Sequence, residues 1–195
     1  MKKRIGIGIL CILLSGLIFT GCKKEDPAPS KNNGGDQVKP AAVENTDSEA
    51  AKDSLDYVLY FRHRDKPFLF DEAYSIQKDD ERLKGKTMEA FILQEAIAAE
   101  GFGEYVNAVP KGTKLLSLER QQDTLLVNLS KEFVTGQKGT SNDTLLSIAT
   151  IVNALTIQPE NEKVQILIEG EKVDIINGID CREPFAYIQG LYPDK

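Results

Sequence analysis

The sequence predicts an α/β (α+β) domain: a small mixed sheet with two helices packed on it, preceded by a signal peptide and a disordered tether. Three observations carry this. Short runs rich in β-formers and Leu recur at Tyr57–Phe61, Lys114–Leu118, Thr124–Leu129 and Val164–Ile168, each with strand length. Two segments, opening at Thr87 and Thr140, place apolar residues at helical spacing behind a capping residue. Residues 1–53 differ in composition from residues 54–195.

At the N-terminus, Lys2, Lys3 and Arg4 precede an apolar run from Ile5 to Phe19, and Thr20, Gly21 and Cys22 follow. The run of 15 residues is shorter than the ~20 that span hydrocarbon, and a charged start before a short apolar stretch is the pattern of a signal peptide. Phe19-Thr20-Gly21-Cys22 resembles a bacterial lipobox, with Phe19 where Leu or Val is commoner. That resemblance implies a diacylglyceryl group on Cys22 and cleavage after Gly21; ordinary secretion with cleavage elsewhere is the alternative. Two acyl chains, at ~0.8 kcal/mol per buried CH₂, make a stable anchor where one is marginal.

Lys23 to Asp53 holds Pro27, Pro29, Pro40, Gly34 and Gly35 and no aromatic residue. Such a stretch buries too little apolar surface to offset the entropy of ordering it. It reads as a tether of about 31 residues spanning roughly 30 Å root-mean-square; a folded N-terminal subdomain has no periodicity behind it. The organisation is then a signal peptide over 1–21, a lipidated Cys22 and tether over 22–53, and one folded domain over 54–195. Of the three cysteines, Cys11 leaves with the signal, Cys22 carries lipid, and Cys181 is alone, so no intramolecular disulfide is available. Cys181 has no His nearby in sequence and reads as a small, partly buried hydrophobe.

Within the folded part, Tyr57–Phe61 is a strand, Arg62–Lys66 a polar turn, and Pro67–Phe70 resumes an extended segment toward Ile76. Asp79, Asp80 and Glu81 form a solvated charge cluster. Thr87 caps a helix to about Glu100, with Met88, Phe91, Ile92 and Ala96 on one face and Gly101 stopping it. Lys114–Leu118 and Thr124–Leu129 suit a hairpin turning near Gln121-Gln122. Thr140 with Asp143 makes a capping-box start to a second helix, whose buried face is Leu145, Ile148, Ala149, Val152 and Leu155. Val164, Ile166 and Ile168 alternate in a core strand, residues 169–172 turn, and Val173–Ile176 returns.

This order of motifs resembles the germane domain (GerMN), the sporulation and spore-germination domain. The landmarks are the strand Val58–Phe61, the segment Val109-Pro110-Lys111-Gly112-Thr113-Lys114-Leu115-Leu116-Ser117, the segment Val127-Asn128-Leu129-Ser130-Lys131-Glu132-Phe133, the helix end Ile151–Thr156, and Lys163–Gly170. The likeness covers roughly Asp56 to Phe185. Asn128 stands where the family usually has Asp, Gly101-Phe102-Gly103 replaces a Gly-Pro, and one copy is present where the germination lipoprotein has a tandem pair. The family implies an extracytoplasmic, often lipid-anchored module of a Gram-positive-type cell with no established catalysis. Its likeness to ring-building motifs of sporulation channels implies a protein-binding or assembly role. In physical terms Pro110–Thr113 is a turn, Ser130 bonds nearby backbone at a strand end, and Gly170 supplies a left-handed turn residue.

Composition excludes several functions. The chain of 195 residues carries 24 Lys+Arg and 30 Asp+Glu, and residues 54–195 carry 16 bases against 23 acids. A nucleic-acid binder needs a basic face, so nucleic acid is not an expected partner. One His rules out a two-His zinc site, and neither a cofactor nor a metal is expected. His63 with Ser117 or Ser130 is the one conceivable nucleophilic set, and no Gly-x-Ser-x-Gly elbow accompanies it. Asp79–Glu81 lacks the EF-hand glycine spacing, and no phosphate-cradling Gly-x-x-x-x-Gly-Lys occurs. The expected function is therefore not enzymatic. It is a lipid-anchored binding or assembly module of the bacterial envelope, held to the membrane through Cys22. Its expected partner is an envelope protein or a second copy. Arg62, His63, Arg64 and Lys66, a basic island in an acidic domain, are the candidate contact, an ordinary solvated hairpin tip being the plainer reading. Peptidoglycan or a small solute on an aromatic surface (Tyr57, Tyr60, Phe68, Phe70, Tyr105, Tyr187) is the alternative, without a Trp platform. Hydrolysis of an envelope polymer comes last.

Overall fold

The structure is a computed structural model and describes residues 53–193. The expected signal peptide, Cys22 and nearly all of the expected tether lie outside the described residues. Among the described residues nine strands and three α-helices form a mixed α+β domain with its strands in three sheets rather than one.

The first sheet is built on a long hairpin. Strand β1 (Ser54–His63) pairs antiparallel with β2 (Leu69–Gln77), from Ser54 opposite Gln77 to Arg62 opposite Leu69. The short β3 (Tyr105–Val106) closes its other edge against Arg62 and His63. The first strand is thus longer than the apolar run predicts, because β2 gives ladder partners from Ser54 to Arg62 and β3 adds one for His63. Tyr57, Leu59 and Phe61 alternate along β1 and are buried. Tyr60, between them, is buried as well, beneath the rings of the C-terminal segment.

After a 3₁₀ turn over Glu81–Leu83, helix α1 (Met88–Ala98) starts where the Thr87 hydroxyl accepts from the Ala90 N–H. Phe91, Ile92, Leu93 and Ala96 are its buried residues, and the Phe91 ring meets Tyr57 edge-on at 5.3 Å. Gly101 is not what ends this helix. The Asn107 amide donates to the carbonyls of Ala96, Ile97 and Ala99 at 3.0–3.2 Å, satisfying the end of the helix from across a loop.

The second sheet runs β4 (Leu115–Gln121), β5 (Thr124–Leu129), β6 (Lys163–Ile168) and β7 (Glu171–Lys172). Strands β4 and β5 form the expected hairpin, with Gln122 at positive φ in the turn. Strands β5 and β6 are parallel, from Thr124 opposite Lys163 to Leu129 opposite Ile168. Parallel neighbours need a crossover, supplied here by the one-turn α2 (Glu132–Thr135) and by α3 (Ser141–Thr156).

Helix α3 starts at the expected capping box: the Thr140 hydroxyl accepts from the Asp143 N–H while the Asp143 carboxylate accepts from the Thr140 N–H at 2.8 Å. Its burial departs from a single apolar face. Thr144, Leu146, Ser147, Thr150, Ile151, Asn153 and Ala154 are buried along with Ile148, Ala149, Val152 and Leu155, whereas Leu145 is only half-buried. The cause is position: α3 contacts β1, α1 and β6, so almost every side meets protein. Its buried hydroxyls find acceptors, with Thr150 donating to the Leu146 carbonyl and Ser147 to the Ala108 carbonyl.

Val173 lies outside any strand; β8 (Ile175–Ile176) and β9 (Ile179–Asp180) make a separate two-stranded ribbon. Residues 181–193 then run as an irregular strap. Phe185 exchanges two backbone bonds with Val164 at 2.8 Å, Ile188 bonds Asn153 of α3, and the Leu191 carbonyl accepts from the Leu69 N–H at 2.7 Å.

Candidate functional site

The landmark motifs meet as a backbone lock. Ser130 Oγ accepts from the Lys114 N–H at 3.0 Å, and the Thr113 hydroxyl donates to the Pro110 carbonyl at 2.7 Å, closing the Pro110–Thr113 turn. Asn128 Oδ1 accepts from the Gly170 N–H at 2.8 Å, and Gly170 has the left-handed φ of 89° expected of it. An Asn thus does here what a carboxylate oxygen would also do, accept one backbone bond. These residues hold strands β4, β5 and β6 in register.

The basic island does not stay together. His63 is 5% exposed, lodged between the rings of Phe68 and Tyr105 at 5.1 and 5.7 Å. Its Nδ1 accepts from the Asp65 N–H at 3.0 Å, and its Nε2 lies 3.4 Å from the Glu104 carboxylate. Both ring nitrogens are engaged, and the described partners include neither Ser117 nor Ser130. Arg64 and Lys66 are exposed, with Arg64 donating to the Gly103 carbonyl at 3.1 Å. Arg62 points elsewhere. Its guanidinium donates to Asp143 at 3.0 Å and to the Arg64 carbonyl at 3.3 Å, while its Nε is closed off from solvent without an acceptor. Hydrogen bonds from the Thr140 backbone and hydroxyl, with Arg62 adding its charge, hold the Asp143 carboxyl below the usual carboxylate range.

What the fold does bring together is a different trio. Arg62 of β1, Lys111 of the Pro110–Thr113 turn and Lys138 of the α2–α3 connection line one cleft of about 450 Å³, with Asn107, Gln137 and Asp143 between them. Lys111 and Lys138 are exposed and form no described ion pair. In the sequence Arg62 belongs to the basic island, Lys111 stands out only as part of a turn, and Lys138 carries no signal. They lie 49 and 76 positions away, and nothing local in the sequence marks them as neighbours.

The other candidates resolve by burial. Tyr57 and Tyr60 are core. Phe70 and Tyr105 are half-buried and stacked at 4.5 Å, beside Phe102, which is 41% exposed. Asp80 caps the 3₁₀ turn and is chelated by Arg82, so the acidic cluster is partly a structural cap. Among the described residues no group of three or more His, Cys, Asp or Glu is placed to hold a metal, and no helix is long and apolar enough to cross a membrane. Cys181 is fully buried, deeper than expected, and burial pushes its thiol pKa up.

The mixed α+β arrangement is one found in known sporulation domains. The tandem GerMN domains of the sporulation protein GerM from Bacillus subtilis match with a TM-score of 0.55 at 14% identity, over 77% of this chain and 51% of that chain. At that identity the likeness concerns the fold, and the chain spans about half the length of the tandem structure. The first GerMN domain of GerM taken alone gives a TM-score of 0.47 at 13% identity, over 68% of this chain and 95% of that one. A Clostridium perfringens protein provisionally assigned as a lipoprotein is 26% identical, with a TM-score of 0.47 over 68% of this chain and 87% of its own. No curated protein matches. Residues 58–174 match the model of the Germane family, described as sporulation and spore germination. The chain belongs to the Germane family. The match stops before the strap, which lies outside the family model.

Proposed function

We propose that the protein is a lipid-anchored module on the outer face of the bacterial cell membrane, binding or assembling with another envelope protein, or with itself, in sporulation or germination. The observation that carries the anchor is Phe19-Thr20-Gly21-Cys22 at the end of a charged-then-apolar leader. Membership of a sporulation and germination family supports the biological setting. A polar stretch of about 31 residues between Cys22 and β1 would let the domain range over roughly 30 Å from the bilayer, enough to meet a partner in the envelope. No catalytic step belongs to this reading, whose chemistry is recognition.

Two measurements test it. Metabolic labelling with a fatty-acid probe should mark the wild-type chain and not Cys22→Ser, and the variant should leave the membrane fraction; a Cys22→Ser chain that stays membrane-bound defeats the anchor. Crosslinking in intact cells should recover the chain in a heteromeric or self-associated species. Recovery of monomer alone overturns the assembly role. One feature favours the peptidoglycan alternative, the half-exposed Phe70–Tyr105 stack beside Phe102. Binding of the full chain to purified peptidoglycan, lost in Phe102→Ala, would decide for it.

A further inference from the structure

The cleft between β1, the Pro110–Thr113 turn and the start of α3 has an electrostatic character opposite to that of the domain around it. Residues 54–195 carry 16 bases and 23 acids, yet the cleft is lined by Arg62, Lys111 and Lys138 and by one acid, Asp143. That acid is already engaged by Arg62 and by the Thr140 N–H and hydroxyl. Glu132 approaches the turn from the Gly112 side, where Lys131 and Lys114 offset it, and it does not line the cleft.

We infer that this cleft is a binding site for a dianionic phosphate group. Three cations less one carboxylate leave two positive charges, and a phosphate monoester carries about −1.5 to −2 at neutral pH. A carboxylate ligand would cancel only one. Lys111 and Lys138 form no described ion pair, so both ammonium groups are available to a ligand. Arg62 adds its charge from the β1 wall, its guanidinium already bonded to Asp143 and the Arg64 carbonyl. Acids elsewhere on the surface matter little, since the Debye length is about 8 Å at physiological ionic strength. The volume of about 450 Å³ exceeds that of a phosphate and leaves room for the alcohol of an ester. The site draws on the folded domain alone and does not depend on how the chain is anchored.

The test is a titration of the full chain in detergent micelles, followed by amide NMR shifts. The probes are inorganic phosphate and glycerol 1-phosphate, each up to about 20 mM, with acetate and chloride at matched ionic strength as controls. Saturable shifts at Lys111, Lys138 and Gln137 with either phosphate are expected. Tighter binding of glycerol 1-phosphate identifies an ester as the source, and equal binding identifies free phosphate. Lys111→Gln and Lys138→Gln should each weaken binding about thirtyfold, the effect of one unit charge about 4 Å from a dianion in water. Both residues are exposed, so the variants should unfold at the wild-type temperature. Shifts that do not saturate, that acetate or chloride reproduces, or that survive both substitutions unchanged would overturn the site.

Discussion

Asn153→Ala should be among the most damaging substitutions in the domain outside the large apolar core. Asn153 is fully buried in α3 and faces the strap. Its Oδ1 accepts from the Ile188 N–H at 2.8 Å, and its Nδ2 donates to the Ile188 carbonyl at 3.0 Å and to the Tyr192 hydroxyl at 3.3 Å. Truncation strips the Ile188 peptide of both side-chain partners. Each lost bond is worth about 1 kcal/mol net, more where the orphaned group stays shut off from water. The emptied amide volume adds about 0.5–1 kcal/mol. The sum is about 4 kcal/mol, which for a domain of this size lowers the midpoint of thermal unfolding by about 12 °C. Urea denaturation of wild type and variant gives the stability difference, and hydrogen exchange at the Ile188 amide reports whether the strap has come loose. A loss below about 1 kcal/mol with Ile188 protection unchanged would refute the assignment of Asn153 as the clamp.

Asp143→Asn should cost about 1–2 kcal/mol at neutral pH through a weakened capping box and a lost ion pair with Arg62. Because the folded state depresses the Asp143 pKa, its contribution is present above the ordinary carboxylate range and fades as pH falls through the depressed value. Acid titration of unfolding should therefore bring wild type and variant together at low pH. Gly101→Ala should destabilise by a few kcal/mol, because the new Cβ would overlap the Tyr105 carbonyl oxygen and lie 2.8 Å from the Val106 Cα, backbone atoms that cannot rotate away. Thermal melts check this, and a melting temperature within a degree or so of wild type would contradict it. Cys181, buried and with its thiol pKa pushed up, should react with a thiol reagent only as fast as the domain unfolds. Rapid labelling in native buffer would show the site to be open.

The local elements were legible in the sequence because their causes are local. Thr87 and the Thr140–Asp143 box mark helix starts within one turn, and Gln121-Gln122 interrupts two β-rich runs. The register lock was partly legible: Gly170 needs only its own φ, whereas Ser130 reaches Lys114, just before a neighbouring strand. The strap was not legible, since its residues have no period and its partners Asn153, Val164 and Leu69 lie far away along the chain. Nor was the full burial of α3. Helical spacing reports one apolar face, while Thr144, Thr150 and Asn153 count as polar in sequence and are buried because protein lies on every side.

By itself, then, the sequence determined the fold class, the family landmarks and the order of the elements, all of which depend on residue type and near spacing. The tertiary structure alone decided what became of the basic island. Alternation along β1 sends His63 inward between aromatic rings and Arg62 to the opposite face, toward Asp143. Lys111 and Lys138 join Arg62 because the Pro110–Thr113 turn and the start of α3 converge there. Charge accumulates by position in space, and adjacency along the chain does not report it.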